Sequence, residues 1–227
     1  MKSILKKIYQ YRFEIFLISQ LSILFGSLVF PSDLYEKSLY QLFLLLNLIA
    51  GINLISNKKK LMWFFITLLA IEGVLLGSTF IDISDENLVN KIRFFISFLF
   101  YVIVAAEIIS TIWQAKIIDK SVIFGLISGY ISLGFIGFFI YLSVDLWYPN
   151  SFNGILISEI SGQAATEELM YFSYITLLTI GYGDITPITP MAQKATIFIG
   201  LMGQFYMVII TAIIVGKFIS QSNKRTA

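Results

Sequence analysis

The sequence predicts an all-α membrane protein with six transmembrane helices, a re-entrant half-length helix and a glycine-containing loop after it. The composition is the first observation, since 57% of the 227 residues are hydrophobic and only 13% are charged. Soluble domains contain roughly 25% charged residues. The second observation is a series of six long apolar stretches. The third is a short break that contains two glycines, TLLTIGYGDITP, between the last two stretches.

A bilayer core about 30 Å thick requires about 20 residues of apolar helix. Six stretches approach this length, and turn-forming or charged residues separate the first five. They are approximately residues 13–30, 38–55, 61–81, 92–113, 122–146 and 191–218. The first stretch is long for the core of a signal peptide and no A-x-A site follows it, so we interpret it as the first span.

Basic residues are retained on the cytoplasmic side of a membrane. They concentrate at the amino terminus, in the second and fourth loops and in the tail, whereas the alternate loops carry most of the acidic residues. We therefore expect a multi-pass protein of the plasma membrane with both termini in the cytoplasm. Lys58, Lys59 and Lys60 could bind anionic lipid headgroups, but a role in setting this topology is favoured.

Composition also limits the possible functions. The chain has no cysteine and no histidine, so disulfides, thiol chemistry and the usual zinc ligands are excluded. The net charge of +2 is spread over the ends of the apolar stretches, so we do not expect nucleic-acid binding. We expect no enzymatic activity and no cofactor.

A half-length helix is predicted just before the glycine-containing loop. Residues 167–178 are too few to span the membrane, Thr166 is a suitable N-cap, and Glu167 and Glu168 suit the positive end of a helix dipole. Backbone that bends at membrane depth is tolerated only where protein or a water-filled cavity surrounds it. The helix should therefore enter from outside and end inside the membrane, with the loop returning outward.

The loop after this helix has the chemistry of a cation site. Glycine at positions 181 and 183 allows positive φ, so successive carbonyl groups can face one side. Such carbonyls, with the Thr179 hydroxyl, can replace the water shell of a monovalent cation. An ordinary extracellular turn would explain the glycines and Asp184. It would not explain the half-length helix that precedes them.

Residues 179–184, T-I-G-Y-G-D, resemble the potassium-channel filter signature T-V-G-Y-G-D. The resemblance continues through residues 171–177 and 185–190 and covers about residues 120 to 220. The family that the chain resembles is the two-helix-pore, voltage-gated-like cation channel superfamily, in its prokaryotic six-transmembrane members. It implies that the half-length helix is a re-entrant pore helix and that the loop is a selectivity-filter loop. It also implies K⁺ binding at the filter residues, with Tyr182 favouring selectivity. These residues are Thr179, Ile180, Gly181, Tyr182 and Gly183.

One loop supplies only one side of a ring of carbonyls, so the resemblance and cyclic symmetry together imply a homotetramer. Its further partners would be K⁺ and membrane lipids. We divide the chain into a peripheral four-helix module, residues 1–116, and a pore domain, residues 117–227. The first four spans match nothing beyond a generic four-helix module.

The resemblance also assigns supporting residues. The family commonly has two tryptophans at the positions of Tyr171 and Phe172, which bond to the groups matching Asp184 and Tyr182. The Tyr171 hydroxyl can still reach Asp184, but Phe172 has no donor for Tyr182, which leaves Thr176 as a possible partner.

In the last span, Gly203 occupies the position of the family's inner-helix hinge, although helix packing through a small residue is the alternative. Four residues correspond to the family's cavity positions, and their spacing of three to four residues would keep them on one helical face. They are Gln204, Met207, Thr211 and Val215.

The fourth span lacks the regularly spaced arginines of a voltage sensor. Arg93 is its single basic residue, at the outer end, where we expect it to reach the headgroups. Glu72 and Glu107 lie within the third and fourth spans, where an acid is costly without a partner. Since no basic residue lies at similar depth by this estimate, we expect them to be protonated, bonded to each other or facing a crevice. A structural pair is favoured over a proton sensor.

The preferred function is a K⁺-selective channel subunit that is not voltage-gated. Two alternatives remain. A potassium transporter subunit would carry four pore-loop repeats in one chain, and this chain has one. A membrane sensor with a non-conducting loop would be expected to have a degenerate filter, which this loop is not.

Overall fold

A computed structural model describes residues 9–31, 35, 39–81, 86–115, 117–155 and 164–226. Its helices are α1 Arg12–Val29, α2 Tyr40–Ile55, α3 Lys59–Ile81, α4 Glu86–Gln114, α5 Lys120–Trp147, α6 Ala164–Leu177, α7 Pro190–Phe205 and α8 Thr211–Thr226. A five-residue π-helical turn, Tyr206–Ile210, joins α7 to α8. Two short strands, β1 Phe152–Asn153 and β2 Thr186–Pro187, pair antiparallel.

Each of the six predicted apolar stretches contains a helix. Four of the described helical segments are long and apolar enough to cross a membrane: Arg12–Val29, Lys91–Gln114, Lys120–Trp147 and Pro190–Gln221. The helix Tyr40–Ile55 is apolar but has 16 residues, and Lys59–Ile81 has 23. The all-α class is confirmed, and the count of six spans stays a prediction.

The chain forms two compact units. The first consists of Met1–Ala115 with Asp119–Gly129, and the second of Lys116–Ile118 with Tyr130–Ala227. The boundary thus falls inside α5. The roles assigned to the predicted module and pore domain stay predictions.

The core of the first unit is aromatic. The ring of Phe100 lies 5.2 Å from that of Phe65 and 6.3 Å from that of Phe16, and all three side chains are buried. Gly51 of α2 packs against Phe100, whose ring a Cβ at this position would meet. Close approach of α2 and α4 therefore depends on this glycine.

The expectation that the two intramembrane acids have no basic neighbour is wrong, because each acid lies beside a basic residue and the two are not bonded to each other. Glu107 Oε2 lies 2.6 Å from Lys58 Nζ, and Glu72 Oε1 lies 3.5 Å from Arg93 Nε. Lys58 follows α2 and its long side chain reaches back to Glu107 on α4.

Arg93 is not at the end of its helix. Because α4 begins at Glu86, this arginine follows about two turns of helix. Its side chain is only 13% exposed and lies beside Glu72, so it does not extend toward the headgroups as expected.

In the second unit, α6 is bonded to α5 along one side. Ser173 Oγ donates to the carbonyl of Gly134 at 2.7 Å, and Tyr174 Oη donates to that of Ile131 at 2.8 Å. The helix begins at Ala164, so Thr166 lies in its first turn and is not the N-cap that we expected. The helix starts three residues before the predicted start at residue 167, and Glu167 lies in its first turn, as expected.

Candidate cation-binding loop

The 178–184 loop begins where α6 ends at Leu177. The chain unwinds there with a change of hydrogen-bond pattern: Leu178 N–H donates to Tyr174 O at 2.8 Å, Thr179 N–H to Thr176 O at 3.0 Å, and Ile180 N–H to Ile175 O at 2.9 Å. These bonds fix the start of the loop to the last turn of the helix.

The backbone of the loop alternates in the sign of φ. Positive values occur at Thr179 (57°), Gly181 (59°) and Gly183 (83°), but not at Ile180 or Tyr182. The glycine values agree with the expectation from sequence. No atom lies within 4 Å of a Cβ built at either glycine, so glycine is required there for its conformation and not for space.

The conformation of Thr179 was not predicted. A β-branched residue with positive φ is an outlier, and a non-glycine residue in this region costs about 1–3 kcal/mol. Nothing local in the sequence marks Thr179 as left-handed. The only signal is its spacing of two residues from Gly181 and four from Gly183.

One side of the loop is uncovered in the single chain. Ile180 is 47% exposed and Tyr182 is 71% exposed, whereas Ile185, which follows the loop, is buried. Residues 178–184 are all exposed. The loop therefore presents both apolar side chains and backbone groups on this side.

Tyr171 and Asp184 form the contact expected from sequence. Tyr171 Oη donates to Asp184 Oδ2 at 2.6 Å, which ties α6 to the last residue of the loop. This hydrogen bond lowers the pKa of the Asp184 carboxyl group, and the same bond raises the pKa of Tyr171 to about 12. The pair therefore holds an ionised carboxylate and a neutral phenol across the physiological range.

Phe172 and Thr176 face a different group of side chains. The ring of Phe172 is buried, 4.7 Å from that of Tyr141 and 5.6 Å from that of Phe152. Tyr141 Oη donates to Thr196 Oγ1 at 3.1 Å and lies 3.4 Å from Thr176 Oγ1, which is within hydrogen-bonding distance. Tyr141 was not identified from sequence, although a hydroxyl-bearing aromatic residue in an apolar span is a signal for such a role.

A second support lies after the loop. Gly154, with φ of 90°, brings its backbone against the carbonyl of Asp184, where a Cβ would overlap the oxygen. Ile188 N–H donates to Ser151 O at 2.9 Å, and Thr189 Oγ1 donates to Ser151 Oγ at 2.9 Å. The segment before α6 is thereby fastened to the segment after the loop.

Gly203 lies against the end of α6. It is buried, and a Cβ there would overlap the Leu177 carbonyl oxygen and lie 3.1 Å from its carbon. The proposed hinge thus also has a packing role, and its hinge role stays a prediction.

The predicted cavity residues are exposed, and the helix that carries them is irregular. The π turn Tyr206–Ile210 lies between Gln204 and Thr211, with Met207 inside it. An extra residue in a turn rotates the following side chains by about 100°. The regular spacing on which the expectation of a single face rested is therefore interrupted, and the assignment of these residues to a cavity stays a prediction. Hydropathy carries no signal for this turn.

The similarity to known proteins lies mostly in the second unit. The profile of a family described as "Ion channel" matches residues 125–220. The "Two pore potassium channel c" of Oryza sativa subsp. japonica is 36% identical over 63 residues, which are 28% of this chain and 14% of that protein. No solved structure matches. Residues 125–220 are thus similar to an ion-channel domain, and the four long apolar helical segments are those expected of a multi-pass membrane protein.

Proposed function

We propose that this chain is one subunit of a homotetrameric channel that conducts K⁺ selectively and passively across the membrane. The observation that carries this proposal is the alternation of φ at Thr179, Gly181 and Gly183, on a loop that starts at the end of a half-length helix.

The alternation bears directly on ion binding. In an extended strand, successive carbonyl groups point in opposite directions. When left-handed and right-handed residues alternate, each peptide plane is turned back, and successive carbonyl groups point to the same side. A row formed by Thr179, Ile180, Gly181 and Tyr182, with the Thr179 hydroxyl, would replace the water around a dehydrated K⁺. The negative end of the α6 dipole is directed to the same region.

The exposure of the loop supports an assembly. Irregular backbone within a membrane must be covered by protein or line a water-filled cavity, and one side of this loop has neither in a single subunit. The last helical segment, Pro190–Gln221, is similarly uncovered, since only 22% of the residues in its apolar stretch are buried, whereas 61% are buried in that of α5. Four copies around one axis would cover these surfaces and close the ring.

The remaining assignments are part of the proposal. Six spans with both termini in the cytoplasm would open the loop to the outside of the plasma membrane, as in prokaryotic six-transmembrane channels. Gly203 would be the inner-helix hinge, and Gln204, Met207, Thr211 and Val215 would approach the conduction path. Tyr171, Asp184, Phe172 and Thr176 would support the filter. The first unit would be peripheral and would not sense voltage.

Recording from purified full-length protein in planar bilayers tests the proposal. With K⁺ and Na⁺ on opposite sides, we expect a reversal potential near the K⁺ equilibrium potential and permeation by Rb⁺. Gly181→Ala should abolish the current, because an L side chain in the left-handed region costs about 1–2 kcal/mol in every subunit. Gly200→Ala is the matched control, since no atom lies within 4 Å of a Cβ at this helical glycine.

A reversal potential near zero would contradict selectivity. An assembled wild-type protein that passes no current under any voltage, pH or lipid composition would instead favour the non-conducting sensor.

A further inference from the structure

The carbonyl groups in the last turn of a helix have no partner within the helix. At the end of α6, the chain that follows supplies donors to Tyr174, Ile175 and Thr176. The carbonyl of Leu177 is different, because it accepts at 3.0 Å from the hydroxyl of Tyr130, on α5. Leu177 is 1% exposed and lies two residues before Thr179. Tyr130 therefore holds the point at which the loop begins.

Tyr130 also contacts the last helix. Its ring centroid lies 5.5 Å from that of Tyr206, the first residue of the π turn. Gly203, in the turn before, packs its backbone against the same Leu177 carbonyl that Tyr130 bonds. The base of the loop is thus in contact with both α5 and α7.

We infer that Tyr130 is a positioning residue for the 178–184 loop, which it holds through the Leu177 carbonyl and connects through its ring to the π turn. This inference rests on the proposed function, because it concerns the loop proposed to bind K⁺. π-Helical turns frequently occur at functional sites. A displacement of the last helix at this turn would move the Tyr206 ring and, through Tyr130, the base of the loop.

The hydroxyl is the part of Tyr130 that bears on the loop. Without it, the buried Leu177 carbonyl loses its donor, and an unsatisfied buried acceptor costs more than the hydrogen bond itself contributes. The loop could supply a new donor only by turning one of its own N–H groups toward Leu177. That rotation would disturb the alternation of φ at Thr179 and Gly181.

Tyr174 provides a matched comparison on the same pair of helices. Its hydroxyl donates to the carbonyl of Ile131 at 2.8 Å. Ile131 lies inside α5, where its carbonyl keeps the N–H partner that every interior helical residue has. Removing the Tyr174 hydroxyl therefore leaves no carbonyl unsatisfied, whereas removing the Tyr130 hydroxyl does.

The test compares wild-type protein with Tyr130→Phe and Tyr174→Phe, purified at full length and recorded in planar bilayers. The readouts are the K⁺/Na⁺ permeability ratio and the rate at which current declines when external K⁺ is lowered. We expect Tyr130→Phe to conduct at high K⁺, to decline about tenfold faster at low K⁺ and to lose selectivity. Tyr174→Phe should stay within about twofold of wild type. Replacing Tyr130 by p-aminophenylalanine, which restores a donor, should return the wild-type rate.

The outcomes separate the inference from the proposed function. A wild-type protein without K⁺ current removes both. A wild-type protein that conducts K⁺, with Tyr130→Phe behaving like wild type or like Tyr174→Phe, overturns the inference alone. Gel filtration establishes assembly of each variant. If Tyr130→Phe alone fails to assemble, the hydroxyl acts in folding and not on the loop, and the inference is likewise overturned.

Discussion

Arg93 and Glu72 form an ion pair between α4 and α3, with Arg93 Nε 3.5 Å from Glu72 Oε1 and both side chains largely buried. Removing one member of a buried pair leaves the other charge uncompensated. Loss of one member should therefore destabilise the first unit more than loss of both members.

We predict that Arg93→Gln lowers the free energy of unfolding by about 3–5 kcal/mol, whereas Arg93→Gln with Glu72→Gln costs much less. Thermal unfolding of the purified protein in detergent measures both variants. Lys58→Gln is the control, because Lys58 is 56% exposed beside Glu107 and such a pair contributes about 1 kcal/mol or less. Equal losses for Arg93→Gln and the double variant would contradict this prediction.

The same pair bears on voltage dependence. Moving one charge across the membrane is worth about 2.3 kcal/mol per 100 mV, so steep gating requires several charges per subunit. Arg93 would provide about four charges in a tetramer. Its ion pair with Glu72 has no net charge and would have to break before Arg93 could move alone. We predict a shallow conductance–voltage curve whose slope changes with K⁺ concentration. A limiting slope equivalent to about ten charges or more, unaltered by Arg93→Gln, would show that a sensor lies elsewhere.

Tyr171→Phe should accelerate the decline of current at low K⁺ several-fold, because it removes the donor to Asp184. Because the pKa of Asp184 is lowered, the contact contributes stability that is fully present above the carboxyl's unfolded-state pKa of about 4 and is lost as pH falls through the folded-state value. The raised pKa of Tyr171 means that the contact is lost only as pH rises through about 12. The wild-type rate should therefore be constant between about pH 5 and 9.

Recordings across this pH range, with the exposed Tyr148→Phe as control, check that expectation. A change of rate between pH 5 and 9 that Tyr171→Phe abolishes would mean that Asp184 titrates in that range.

The glycines of α7 should respond differently to alanine. A methyl group at Gly203 meets the Leu177 carbonyl, whereas at Gly200 it meets no atom within 4 Å. We predict that Gly203→Ala impairs assembly or current and that Gly200→Ala preserves both, with a gain of up to about 1 kcal/mol from helix propensity. Light scattering and conductance measure the two effects. A Gly203→Ala channel that assembles normally and differs only in gating would favour the hinge over the packing role.

Barium should block the pore, since it resembles potassium in size and carries twice the charge. Thr179→Cys should weaken the block about tenfold, because the hydroxyl that would contribute to the innermost site is lost. Thr186→Cys, on β2 beyond the loop, should leave it unchanged. Unaltered block in Thr179→Cys would remove Thr179 from that site.

Hydropathy and steric rules predicted the positions of the helices and the conformations of Gly181 and Gly183, because these depend on local composition. The conformation of Thr179 depends on bonds to Ile175 and Thr176, which no propensity of threonine indicates. Arg93 was not predicted as the partner of Glu72, because its depth was estimated from the apolar stretch 92–113. The helix α4 begins six residues before that stretch, at Glu86. Tyr130 could not be found, since its partner is a backbone carbonyl at a helix end.

The uncovered side of the 178–184 loop has a consequence for biogenesis. In the proposed assembly, a newly inserted subunit carries a quarter of an ion site, and its loop gains its remaining neighbours only when other subunits arrive. Membrane insertion and completion of the conduction pathway would then be separate events, and the second would depend on how many copies the membrane holds. One defective subunit would disrupt the ring that it forms with three wild-type subunits, so a loop mutant co-expressed with wild type should act dominantly.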